Sequence, residues 1–142
     1  MLYISSRFIE SMDKRITPVA VAGLWIALSE FVRNEFLFRD RWIDHYTSLG
    51  LQFKTLPING FLWMVWSLLL AYILTRLLRR FSFTEAVFIA WLAAFVMMWV
   101  TVFNLQVLPL VLLIFAIPLS LLEVAIAGII IKKLKGERIL AS

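Results

Sequence analysis

Glu30 and Glu123 stand where carboxylates are costly. Each lies inside a long apolar run, VAVAGLWIALSEF and LLIFAIPLSLLEVAIAGIII. A carboxylate at the centre of a bilayer costs about 2.5–3.5 kcal/mol on insertion scales. Packing does not require such a group, whereas proton exchange, cation binding, acid–base chemistry and pairing with a partner helix all do. Arg33 follows Glu30 by three residues, so an i,i+3 ion pair is available on a helix. That pair makes Glu30 the expected charged acid. Glu123 has only Ser120 and Pro118 close in sequence and is the expected neutral one. Pro118 removes a helical hydrogen bond to the carbonyl of Ile114 and predicts a kink beside Glu123. Ser67 and Ser120 fall near the depth of Glu30, with Glu123 about one helical turn, roughly 6 Å, away. Asn34 and Asn104 add polar groups toward one end. Two readings fit these residues: an external vestibule leading to buried acids, or a neutralised pair that fixes helix orientation.

The elements that must carry these groups follow from composition. Of 142 residues, 63% are hydrophobic and only 16% charged, with a mean hydropathy of +0.93. A soluble chain of this size could not hide so much apolar surface. Four runs are long enough to cross a ~30 Å hydrocarbon core as helices, at about 18–38, 58–78, 83–103 and 108–131. None alternates as barrel strands do. The expected fold is therefore an all-α membrane protein, a four-transmembrane-helix antiparallel bundle forming a single domain over 1–142. Pro18, Pro57 and Pro109 mark expected helix starts, and Ser82 or Thr84 the N-cap of the third span. A competing reading takes VAVAGLWIALS as a signal-peptide core with Ala27 and Ser29 before a cut. The helix face that continues past Ser29 into Glu30 and Asn34 favours a span.

Helical spacing predicts an inward stripe of small and polar residues on each span. The stripes are Ala20, Gly23, Ala27, Glu30 and Asn34, then Gly60, Trp63, Ser67 and Ala71. The third is Ala86, Ala90, Ala93, Met97, Thr101 and Asn104, and the fourth Ala116, Ser120, Glu123 and Ala127. Small residues let helices approach closely in lipid. Two further segments read as surface-lying. Residues 1–16 put Ile4, Phe8 and Met12 on one face. The loop RDRWIDHYTSLGLQFK puts Trp42, Tyr46 and Leu49 on another, with Gly50 as a stop, and predicts a short interfacial helix or lid.

The chain has no cysteine and one histidine, which argues against thiolate chemistry, His-rich metal sites and haem. No phosphate-binding, zinc-hydrolase or nucleophile-elbow motif is present, so no cofactor or metal is expected. The net charge of +5 flanks apolar spans, which points to the lipid bilayer as partner and not to nucleic acid. LWIALSEF before an external RWIDHY, with IPLSLLEVAIAG in the last span, resembles small, uncharacterised four-helix bacterial inner-membrane proteins. The resemblance carries no activity. Three functions are open: transport or conduction of a small solute or cation with proton exchange, a non-catalytic assembly subunit acting as a homo-oligomer or with a partner membrane protein, and a membrane enzyme on a lipid-soluble substrate.

Ten basic residues fall on the side of the termini and the second link: Arg7, Lys14, Arg15, Arg76, Arg79, Arg80, Lys132, Lys133, Lys135 and Arg138. The other side carries Arg39, Arg41 and Lys54. By the positive-inside rule both termini are cytoplasmic. A reporter fused after Ser142 is expected to be active in its cytoplasmic form. Activity in its external form would invert the whole arrangement.

Overall fold

The computed structural model describes residues 2–54 and 56–137, with the backbone alone for 2–15. The interfacial face expected for residues 1–16 lies outside the described side chains. Every regular element is helical. Helix α1 runs Leu2–Phe31 and continues through a π-helical turn, Val32–Leu37. Helix α2 is Arg39–Ser48 and α3 is Pro57–Leu77. Helix α4, Phe83–Trp91, passes through a second π turn, Leu92–Val96, into α5, Met97–Asn104. A single 3-10 turn, Leu110–Leu112, leads into α6, Leu113–Lys135. Four stretches are long and apolar enough to cross a membrane: Ile16–Leu37, Pro57–Leu77, Phe83–Asn104 and Leu110–Lys135.

Local chemistry sets most of these limits. Pro57 opens α3 at its first turn, where its missing N–H costs nothing. Ser82 caps α4 in a reciprocal box: the Glu85 amide donates to Ser82 Oγ at 3.4 Å, and the Ser82 amide donates to Glu85 Oε2 at 3.1 Å. Ser82, not Thr84, is therefore the cap. Gly136, at φ 68°, ends α6 in the left-handed region after three lysines that suit the negative end of the helix dipole. Gly50, at φ 71°, closes the turn after α2. Pro18 departs from expectation. It lies inside α1 and not at its start, fully buried. Its ring removes one hydrogen bond to the preceding turn, and the helix runs on around it.

Helix α1 packs against α3 and α6, and α4 packs against α6 and α3. Ala22, Ile26, Leu70, Ala71, Leu74, Phe95, Val124, Ala127 and Ile131 form the shared core. The second and fourth stripes hold where the helices are close: Ser67, Ala71, Ala116, Ser120, Glu123 and Ala127 are buried. At its N-terminal end α3 turns Gly60 and Trp63 to an open space. The third stripe fails halfway. Ala86 and Ala90 are buried, but Ala93, Met97, Thr101 and Asn104 are exposed, with Met97 at 65%. The π turn accommodates one extra residue, so the inward face after it passes to Phe95, at 0% exposure, with Met98 and Trp99 packed alongside.

Gly23 marks a close approach of α1 and α3. A Cβ there would lie 2.7 Å from Leu68 Cδ2 and 3.2 Å from Leu68 Cα, while a Cβ on Gly60 would meet nothing within 4 Å. Gly23→Ala is expected to destabilise the fold by about 1–3 kcal/mol through overpacking. Gly60→Ala should be neutral or stabilise it by about 0.5–1 kcal/mol by removing backbone freedom from α3. Thermal unfolding of the purified protein in detergent would separate the two. Equal stability of both variants would contradict the packing described.

Candidate functional site

The acids meet at one guanidinium. Glu30 and Arg33 sit where α1 passes into its π turn, and Glu123 sits in the middle of α6. Arg33 Nη2 donates to Glu30 Oε1, and Arg33 Nη1 donates to Glu123 Oε2 at 3.2 Å. All three residues are buried: Glu30 is 2%, Arg33 6% and Glu123 1% exposed. Phe95 places its ring 5.2 Å from the guanidinium carbon, so the charge is covered by an aromatic face. Asn34 Nδ2 donates to Glu30 Oε2 at 2.8 Å and to the Glu30 carbonyl at 3.0 Å. Trp42 Nε1 on α2 donates to Asn34 Oδ1 at 3.2 Å. A hydrogen-bond chain thus runs from α2 through Asn34 and Glu30 to Arg33 and Glu123.

Glu123 differs from expectation. The sequence gives it no charged neighbour, yet it shares Arg33 with Glu30. Arg33 spans the space between the two acids, with one terminal nitrogen on each. The backbone carbonyl of Glu123 also accepts from Trp25 Nε1 at 3.1 Å, and the Ser29 hydroxyl lies near its carboxylate. Its second oxygen, Oε1, is buried and has no hydrogen-bond partner among the described residues. With two carboxylates and one guanidinium the cluster is one positive charge short of neutral. A proton or a bound cation would supply that charge.

A cleft of about 1260 Å³ reaches this cluster. Its walls come from the C-terminal end of α1, the N-terminal ends of α3 and α6 and the C-terminal end of α5, with α2 and Gln52, Phe53, Lys54 and Leu56 at its rim. Glu30, Arg33 and Asn34 line it, and Glu123 stands behind Arg33. Trp42 and Tyr46 of α2 are half-buried and line it too, whereas Leu49 points outward. The short helix expected in this loop is therefore present, and two of its three apolar residues close the cleft.

Ser67, Ser120 and Asn104 are not brought to the acids. Ser67 Oγ is spent on the Trp63 carbonyl at 2.8 Å. Ser120 Oγ accepts from Trp91 Nε1 at 2.9 Å and donates to the Ile117 carbonyl at 3.1 Å. Asn104 is exposed at the end of α5. Four contributors leave no plain signal in the sequence: Phe95, Trp25 and the two π turns. A π turn leaves no composition signal, and once it is missed the helical wheel assigns Phe95 to the wrong face. Among the described residues no cluster of three or more acidic or histidine side chains could hold a metal ion. No family model, curated protein or solved structure matches the chain.

Arg33→Leu leaves two buried carboxylates without their cation. The expected loss is about 3–5 kcal/mol of stability, as for other buried pairs cut on one side. The triple variant Glu30→Gln, Arg33→Leu, Glu123→Gln should recover most of it, because no charge remains to be compensated. Unfolding of the two variants in detergent checks this, and an Arg33→Leu protein as stable as the parent would rule out the shared ion pair.

Proposed function

We propose that the chain is a bacterial inner-membrane transport protein that takes a small solute or cation into the cleft and exchanges it for a proton at Glu30, Arg33 and Glu123. The proposed architecture is a four-helix antiparallel bundle with both termini cytoplasmic and α2 lying at the external interface. Residue pairings favour the antiparallel order. Gly23 lies against Leu68, while Phe31, eight residues further along α1, shares the cleft with Pro57, Gly60 and Trp63. On α6, Gly128 faces Phe83 and Ser120 meets Trp91. Arg33 reaches Glu123 while Phe38 packs on Phe115 with ring centres 6.3 Å apart.

The cleft is the observation that carries the reading. An acid cluster buried only for orientation needs no space beside it. Here a space above the usual ~300–1,000 Å³ range of small-molecule pockets ends on the charged group. The charge balance supplies the exchange. Buried charge is costly, so the cluster is stable when a proton or a cationic ligand offsets the second carboxylate. The two occupants compete for one charge, which is the coupling a proton-linked carrier needs. The second reading is an assembly subunit, favoured by one observation: the acids already find a cation within the chain, which is all that a structural role asks of Arg33.

Glu123→Gln keeps the shape of the side chain but cannot titrate. In proteoliposomes under an imposed pH gradient the parent is expected to show proton-linked uptake from a cation and amphiphile panel, and Glu123→Gln to lose the linkage while remaining folded. Equal flux in both would remove Glu123 from the coupling step. No flux from the parent would transfer support to the assembly reading.

A further inference from the structure

The proposed exchange leaves the walls of the cleft unexplained. Seven aromatic side chains line it, Trp42, Tyr46, Phe53, Trp63 and Trp99 among them. Three of them form a continuous edge-to-face series, with Trp42–Tyr46 ring centres 6.2 Å apart and Tyr46–Phe53 5.4 Å apart. Aromatic faces attract cations, and most strongly when the cation is poorly hydrated. The charges on and behind the wall point the same way. Glu30 and Glu35 are matched on the lining by Arg33 and Lys54, and Glu123, behind Arg33, adds a further carboxylate that a proton or a cation in the cleft would offset.

The oxygen atoms decide between kinds of cation. A small hard cation must exchange its water shell for several protein oxygens. At the buried end of the cleft the oxygens already have donors: Arg33 on Glu30 Oε1, Asn34 on Glu30 Oε2 and Trp42 on Asn34 Oδ1; among the described residues no group of three or more acidic or histidine side chains gathers to ligate a metal ion. A hydrophobic cation needs no such ligands, since it has little hydration to replace and can use the field and the rings alone. An anion would have to win Arg33 from two carboxylates at once. We propose that the cleft binds bulky hydrophobic monocations, their charge held near Glu30 and their apolar body against the aromatic wall. The proposal rests on the reading of the cleft as a solute site, and it names the solute class.

The test uses two ions of nearly the same size and shape and opposite charge, tetraphenylphosphonium and tetraphenylborate. Each is titrated by equilibrium dialysis onto the full chain in lipid nanodiscs, with empty nanodiscs as baseline. Saturable phosphonium binding above baseline, about one per chain, is expected, with none for the borate. Binding should be roughly tenfold weaker in both Glu30→Gln and Trp63→Leu, a loss of one favourable cation contact in each. Tetramethylammonium and potassium should not compete. Saturable borate binding, phosphonium binding no greater than baseline in the unsubstituted protein, or phosphonium binding unchanged in both variants would each overturn the proposal. The wild-type comparison needs no variant to fold. Uptake measured on the same preparation keeps the two readings apart. Phosphonium binding without any proton-linked flux sinks the transport reading alone. Proton-linked flux of another solute without phosphonium binding sinks this inference alone.

Discussion

The sharing of Arg33 between two carboxylates is the constraint on which the cleft-bearing half of this protein depends. A guanidinium offers a planar fork that can satisfy two acceptors at once, and here the acceptors come from the first span and the last. As charged groups, the acids offset the cost of burying Arg33, and Arg33 offsets the cost of burying them. The pairing fixes α1 against α6 at one level, and the Phe95 ring brings the third span to the same point. Below this level the helices close on alanine, glycine and branched aliphatic side chains. Above it they stand apart and leave the cleft.

The two π turns let a regular bundle hold this arrangement. Each packs five residues where the α-helix packs four, as the Phe38 amide bonding to the Arg33 carbonyl at 3.0 Å illustrates. On α1 the wide turn carries Arg33 and Asn34 themselves. On the third span it shifts the inward face so that Phe95 reaches the guanidinium and Trp99 reaches the cleft. A continuous α-helix would have set Met97 inward instead. Such turns cluster at functional sites in helical proteins, because they trade regular hydrogen bonding for the placement of a side chain.

What could be read from the sequence follows from which physical signals are local. Span length and apolarity mark out the four long helices, and Ser82 and Pro57 announce two of their starts. The acids announce themselves by their cost in lipid. The partner of Glu123 is different: Arg33 is 90 residues away, and no spacing rule connects them. The third stripe failed because a wheel drawn at one period cannot register an inserted residue. Pro18 failed because proline favours a first turn but tolerates a helix interior where neighbouring helices support it. Ser67 and Ser120 sit at useful depths, yet their hydroxyls bond to their own helices, a choice that sequence does not display.

The 90 residues between Arg33 and Glu123 also set an order of events during synthesis. The first span is the least apolar of the four, and it carries both Glu30 and Arg33. When it leaves the ribosome it holds only the local half of its ion pair. The other half emerges with the last span. At about 5–20 residues per second that interval is roughly 5–18 s. Through it the first span depends on Glu30 to shield Arg33, and on the insertion machinery or the water near the membrane surface to tolerate what is left over. The chain therefore completes its most charged contact last, and a nascent chain stalled before Glu123 would hold a first span with its charges only partly matched.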